Sequence, residues 1–389
     1  MGASVWSRPM KTNPAVAGMG EYPIGKLQEK GRELRAAGEQ VFDFSIGDPR
    51  EPTAAFIPSA LKAAVPKVSQ YPTTSGLADL RAAVAGYVAR RFGVDIDPDT
   101  QVMPTSGSKE GIFSSHLAFV DRNRGDVVVY PTPGYPIYER GASLAGAELY
   151  PVALADDFVL RAGQIPTEVW KRASLVWTCT PHNPAGSITP LDDLAGLLEK
   201  ARENETLLLS DECYADLYDD EPPASVLQVA GAGAQGCLSY LSLSKRSGMT
   251  GYRSGAIVGD PAAIKLLKTL RSSTGTASPE FVQVAATAAW SDDGHVGFRR
   301  EIFRQKRSLL AKTFDSLGFQ VVASTAGIYL WIQVGDDVAI SEKLANDHIL
   351  VTPGRVFGNG GEGYIRLALV PTLDECDAAA EAVRECLGS

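Results

Sequence analysis

Short apolar runs alternate with stretches of helical spacing along most of this chain. From Pro58 to Arg91 the spacing is helical, broken by the turn YPTTSG. Next come DVVVYPTPGYP, ASLVWTCTPHNP, TLLLSDECY and LSYLSLSKRSG, each opening apolar and closing on polar or turn residues. Strands that alternate with helices predict an α/β fold, a mostly parallel sheet with helices on both faces. Ligands of such sheets bind beyond the carboxyl ends of the strands. The polar residues that close these runs are therefore where chemistry is expected.

The pattern changes after Gly275. A long, charged amphipathic helix is predicted from about Ser291 to Leu317, centred on FRREIFRQKRSLLAKTF. Alternating segments follow (GFQVVAS, GIYLWIQV, ILVTPG and GYIRLALV), then a final helix. This predicts a smaller α+β domain. The N-terminal part, a Pro-rich lead-in, an amphipathic segment from Ile24 to Ala37 and the apolar VFDFSIGDP, is expected to complete it. With 389 residues, two domains are the natural expectation. The division predicted is a large domain over 48–280 and a small one from 1–47 and 281–389.

Composition narrows the partners. Hydrophobic residues are 44% and charged residues 21%, ordinary for a globular chain. The net charge of -9 argues against a nucleic-acid backbone or an anionic membrane as partner, so any bound anion needs a local pocket. No apolar run approaches the ~20 residues that span a bilayer, and MGASVWSRPMKTNP has no apolar signal core. The cysteines (Cys179, Cys213, Cys237, Cys376 and Cys386) are odd in number and lack a C-x-x-C pair, which suits a reduced cytoplasm. His116, His182, His295 and His348 stand apart from one another and from cysteine pairs, so no metal site is expected.

Three strand ends supply a complementary set of groups. LSLSKRSGMTGYRSG places Lys245 among Ser242, Ser244 and Arg253, donors suited to a phosphate. A phosphate-anchored aldehyde beside a lysine forms a Schiff base, which is how pyridoxal phosphate (PLP) is held. LLLSDECY places Asp211 straight after an apolar run, where a carboxylate keeps a pyridine nitrogen protonated. Tyr214 follows as a donor to the phenolic oxygen, and Asn183 in CTPHNPAG offers its amide to the same atom. Arg366, between apolar residues in YIRLALV, needs an anionic partner, which a substrate α-carboxylate supplies by bidentate pairing. Taken singly, these are a surface lysine, a strand-end carboxylate, a turn asparagine and a structural ion pair. Taken together they depend on one another: the lysine imine needs the electron sink, the sink needs the carboxylate, and the phosphate needs donors.

With these residues the chain resembles the class I/II aminotransferases of PLP fold type I. The matching pieces are YPTTSGLADLR, SGSKEGI, PTPGYPIY, PHNPAG, SDECY, SLSKRSGMTGYRSG, AGIYLW and YIRLALV, spread over most of the chain. Within that family the wording is most similar to the N-succinyldiaminopimelate aminotransferases of the lysine pathway. The telling segments are YPTTSGLADLRAAVAGYVARRFG, SDECY, SLSKRS followed by G-x-RSG, AAWSDDGHV, and the closing RLALV with EC five residues on. The resemblance implies a seven-stranded, mostly parallel sheet in the large domain. It makes Lys245 the Schiff-base lysine and proton carrier, pairs Asp211 with the pyridine nitrogen, and sets Asn183 and Tyr214 on the ring oxygen. Tyr135 stacks on the ring, while Ser108, Lys109, Ser242, Ser244 and Arg253 hold the phosphate. Tyr71 reaches the phosphate of a neighbouring subunit, so a homodimer with shared sites is implied. Arg366 grips the α-carboxylate, helped by the backbone near Gly47 and by Asn183. The implied reaction moves an amino group from glutamate to an oxo acid, N-succinyl-2-amino-6-oxopimelate.

Two departures stand beside the expected cofactor: Ala185 replaces a usual threonine, and His182 fills a slot that is often small. His182 is expected to be an ordinary turn histidine, with a catalytic role as the alternative. GNGGEG, 358–363, has dinucleotide-motif spacing but leads into a strand-like run, which excludes that reading. A broad aspartate/alanine-type aminotransferase, or a carbon–sulfur β-lyase on the same scaffold, would keep every residue named, because fold and cofactor do not fix the reaction. A PLP-binding regulator would need an attached effector domain, for which the chain has no spare segment.

Overall fold

The computed structural model describes residues 10–20 and 25–388. Its main sheet has seven strands. In spatial order they are Val102–Thr105, Gly255–Gly259, Cys237–Ser242, Leu207–Asp211, Ala173–Cys179, Val127–Thr132 and Glu148–Ala153. Every pairing is parallel except those of Gly255–Gly259, which runs against both neighbours. The mostly parallel sheet expected from the sequence is present, and the four apolar runs form its centre.

Alternate side chains explain why those runs read as continuous. Val127, Val129, Val176 and Leu208 face one apolar cluster, while Val128, Tyr130, Leu175 and Leu209 face the other. A strand covered on both faces has no polar side to show. Helices Ala78–Phe92, Leu191–Glu203 and Glu280–Ser291 contribute to the first cluster. Ser108–Phe119, Ile137–Ala145 and Pro261–Thr274 contribute to the second.

Three strands carried no clear sequence signal. Val102–Thr105 and Glu148–Ala153 lie at the sheet edges and contain Pro104 and Pro151, as edge strands tolerate. Gly255–Gly259 has only three apolar residues between glycines.

The second part is built on a four-stranded antiparallel sheet ordered Thr352–Pro353, Tyr364–Ala368, Tyr329–Gln333 and Gln320–Val322. The N-terminal segment joins it where Phe42–Asp43 pairs parallel with Ile349–Leu350. Helix Gly25–Ala36 realises the amphipathic segment; Ile24 and residues 1–9 of the lead-in lie outside the described residues. The long helix is Gly294–Ser316, starting after the expected Ser291 because that residue ends the preceding helix. Its buried positions Val296, Arg299, Phe303, Lys306, Leu310 and Thr313 step by three and four, the stripe of a core-facing helix. Thr372 and Glu375 form a reciprocal cap that opens the last helix, Leu373–Leu387. GNGGEG runs into Tyr364–Ala368, not into a helix. Among the described residues no helix is long and apolar enough to cross a membrane.

Candidate active site

The carboxyl ends of the parallel strands converge on a cavity of about 560 Å³. Tyr135 arrives after Val127–Thr132, Asn183 after Ala173–Cys179, and Asp211 ends its own strand. Ser242 closes Cys237–Ser242 and caps the single helical turn Leu243–Arg246, which carries Ser244 and Lys245. Because Gly255–Gly259 runs the opposite way, Arg253 reaches the same edge just before that strand starts. Arg366 faces the cavity from the four-stranded sheet, and Gly47 from the loop that follows Phe42–Asp43. Every residue given a site role from the sequence lines it except Tyr71, which is fully exposed on the stretch between two helices.

Lys245 donates from Nζ to the carbonyl of Gly47. Burial pushes its ammonium down to about 8; Arg253 and Arg366 push the same way, while Asp48 and Cys213 oppose them. Gly47 has no room for a side chain, since a Cβ there would sit 2.6 Å from the Tyr329 hydroxyl.

Asp211 is buried and accepts from the Tyr138 hydroxyl at 2.9 Å and from the Cys213 N–H at 3.3 Å. Burial raises its pKa, and the Cys213 thiol, the Tyr138 hydroxyl and the Cys213 N–H, all neutral, only partly offset that. Tyr138 was not foreseen from the sequence, although it stands three residues beyond Tyr135 in PTPGYPIY. It stacks on Trp177 with centroids 4.8 Å apart, which fixes its hydroxyl.

Ser108 and Lys109 open helix Ser108–Phe119 at the cavity edge, next to Ser242, Ser244 and Arg253. Burial and the neighbouring Arg140 and Arg253 hold Lys109 below its ordinary pKa. A helix start surrounded by cations and hydroxyls is a site for an anion.

Arg366 is buried between two aromatic rings, with its guanidinium carbon 4.3 Å from the centroid of Tyr329 and 4.5 Å from that of Phe357. It donates to Asn183 Oδ1 at 3.0 Å and to the Ser45 carbonyl at 2.9 Å, while its Nε has no hydrogen-bond partner. The hydroxyls of Tyr214 and Tyr329 lie 3.0 Å apart. Tyr329 and Ser45 sit inside AGIYLW and FSIGDP, but spacing gave no reason to choose them.

His182 departs from its expected setting. It is buried, stacks on Phe158 at 6.4 Å, and burial pushes its pKa down to about 4. Ala185 packs with Phe158, Trp331 and Phe357. Both side chains sit behind the cavity wall and not on it.

The family model of the class I and II aminotransferases matches residues 39–383. The chain belongs to that family. Among related aminotransferases, the LL-diaminopimelate aminotransferases of Dehalococcoides mccartyi and Desulforudis audaxviator are each 35% identical to it. The first match covers 92% of this chain and 95% of the relative, the second 94% and 95%. A 4-dedimethylamino-4-oxo-anhydrotetracycline transaminase of Streptomyces rimosus is 36% identical, covering 92% and 98%. In three dimensions the chain is similar to an aminotransferase from Neisseria meningitidis, with a TM-score of 0.88, 34% identity and coverage of 96% and 100%. The aspartate aminotransferase of Thermus thermophilus with maleate gives a TM-score of 0.90 at 25% identity, covering 97% and 100%. These aminotransferases share the type I fold and depend on PLP. The cavity fits that cofactor: it offers a buried carboxylate short of a cation, an anion cradle at a helix start, and an amine with a lowered pKa.

Proposed function

We propose that this chain is a transaminase that moves an amino group from glutamate to an oxo acid of the diaminopimelate class, with Lys245 as the amine that bonds the cofactor. The observation that carries the reading is the meeting of Lys245, Asp211 and Arg366 in one cavity. When bound, PLP supplies an electron sink for the bond at the substrate's Cα. Asp211 provides the negative charge that keeps the pyridine nitrogen protonated. Asn183, Oδ1 already engaged by Arg366, has its amide N–H groups to donate to the ring oxygen, and Tyr214 donates beside it. Tyr135 covers the ring face. Ser108, Lys109, Ser242, Ser244 and Arg253 hold the phosphate.

Arg366 grips the substrate α-carboxylate close to Gly47, with Nε as a ready donor. Its flanking rings exclude water, which strengthens the pairing. Lys245, with a pKa near 8, takes a proton and returns it at neutral pH, the match that general acid–base work needs. A homodimer completes the site, Tyr71 of each chain reaching the other's phosphate. The exposure of Val65 and Val68 on the same stretch supports a covered surface there.

The substrate pair within this class divides two ways. The wording of the sequence favours N-succinyl-2-amino-6-oxopimelate, and the names of the Dehalococcoides and Desulforudis relatives favour LL-diaminopimelate without the succinyl group. The test is kcat/KM for glutamate with the succinylated oxo acid, against LL-diaminopimelate with 2-oxoglutarate, with aspartate and alanine as comparison donors. One of the first two pairs should lead. Amino transfer absent from every pair, with pyruvate released from a β-substituted amino acid, would make the chain a lyase and end this reading.

A further inference from the structure

Lys245 sits on one helical turn, Leu243–Arg246, and a single turn holds itself poorly because it closes few hydrogen bonds. The aim of its amine therefore depends on what ties down the two ends of that turn. The start is fixed by Ser242, whose Oγ accepts from the Ser244 N–H at 3.2 Å. Apart from the buried pair of Arg246 with Asp216 at 2.8 Å, the far end is tied to one corner, where helix Glu280–Ser291 gives way to Gly294–Ser316.

Six side chains make that connection. Ser247 Oγ lies 2.8 Å from His295 Nε2, and His295 Nδ1 lies 2.6 Å from Asp292 Oδ1. Arg246 donates to Asp293 at 2.6 Å, to the Ala289 carbonyl at 2.7 Å and to the Asp292 carbonyl at 3.1 Å. Arg299 Nε donates to the carbonyl of Lys245 itself at 3.3 Å. The charged groups facing the His295 ring are Asp292, Arg246 and Arg299; burial and the two arginines keep the ring below its ordinary pKa against the pull of Asp292. A neutral ring that donates from Nδ1 to Asp292 accepts at Nε2, so Ser247 is the donor to it.

The Asp–His–Ser order is that of an activated nucleophile, but Ser247 is fully buried and neither it nor His295 lines the cavity. The chain of bonds ends on the backbone beside Lys245 and on no reacting atom. We propose that His295 is a positioning residue, which through Ser247 fixes the turn that aims the Lys245 amine into the cavity. This rests on the role given to Lys245 above.

The test uses the PLP-loaded enzyme. His295→Phe keeps a ring against Phe56, its T-shaped neighbour at 5.4 Å, and deletes both hydrogen bonds. The pH midpoint of the absorbance change that reports the cofactor–lysine bond should shift by about 0.5 unit or more. kcat should fall about tenfold to a hundredfold, the scale of small misplacements of a reacting group, with the donor KM within about twofold. His295→Gln, which restores an acceptor for Ser247, should recover most of both. Ser247→Ala should reproduce the loss, and it carries the test if His295→Phe does not fold. Phe56→Leu is the structural control: it should lower Tm and leave the midpoint in place. If His295→Phe and Ser247→Ala lower Tm yet keep the wild-type midpoint and kcat, His295 only packs and the proposal falls. The midpoint needs only cofactor binding, so a wild-type enzyme that shows it but transfers no amino group refutes the transaminase reading separately.

Discussion

Asp211 has exchanged water for a hydroxyl, a thiol and one backbone N–H, and none of them carries charge. A carboxylate left like that favours its neutral form unless a cation arrives. If that cation is the pyridine nitrogen, Asp211→Asn should lower kcat by at least about a hundredfold, the scale seen when a preorganised electrostatic partner is lost. The Tm of the cofactor-free protein should hold or rise, because the substitution removes a buried charge. Steady-state rates and a thermal melt of the apoprotein check both. Lower Tm with intact kcat would mark Asp211 as structural. Lys245 offers a second test at this scale. Its pKa lies near 8, below that of a free lysine, so the neutral, nucleophilic fraction grows as pH rises towards 8 and saturates above it. The rate of PLP uptake by the apoprotein should rise about tenfold per pH unit below that value and flatten beyond pH 9. A rate still climbing at pH 10 would mean an ordinary, solvated lysine.

The residues that were legible in the sequence are those whose chemistry is incomplete alone: a lysine needing a sink, a carboxylate needing a cation, an arginine needing an anion. Tyr138, Tyr329 and Ser45 were not, because their work is to complete hydrogen bonds that only the folded backbone brings near. His182 misled for a related reason. Asn183 beside it lines the cavity, while its own ring turns back onto Phe158.

At the scale of elements, the phosphate cradle depends on how helix Ser108–Phe119 begins. Gly107 precedes it with φ 85° and ψ 152°, a region other residues avoid, and an added Cβ would stand 2.2 Å from Arg253 Nη2. Gly107→Ala should cost about 1–3 kcal/mol in backbone strain and push the Arg253 guanidinium aside. The PLP dissociation constant, measured by titrating the apoprotein, should rise at least about tenfold. Gly297→Ala is the contrast: that glycine is exposed within Gly294–Ser316 with nothing near its Cβ position, so helix propensity alone should stabilise the protein by up to about 1 kcal/mol. Equal effects from both changes would argue against a cradle at Gly107. The same contrast between local and tertiary causes decided which elements could be read in advance. The central strands announced themselves because both their faces are covered. The edge strands, interrupted by Pro104 and Pro151, depend on a neighbour that the local pattern does not encode.

For the whole molecule, the one site residue that this chain does not bring to its own cavity is Tyr71. It stands fully exposed near Val65 and Val68, at 55% and 73% exposure, an apolar stretch that a lone subunit would leave in water. A two-fold dimer that covers this stretch would carry each Tyr71 towards the other chain's phosphate cradle. Sites shared in this way can be complemented. Lys245→Ala alone should be inactive, and Tyr71→Ala alone should bind PLP weakly. When the two variants are mixed and allowed to exchange subunits, each hybrid gains one complete site, the one with Lys245 of the Tyr71→Ala chain and Tyr71 of the Lys245→Ala chain. Random exchange at equal amounts makes about half the dimers hybrid, so about a quarter of wild-type activity should return. If Tyr71 served the cavity of its own chain, every hybrid site would lack either the lysine or the tyrosine, and mixing would restore nothing. The amount of activity regained on mixing therefore measures whether the unit of function is one chain or two.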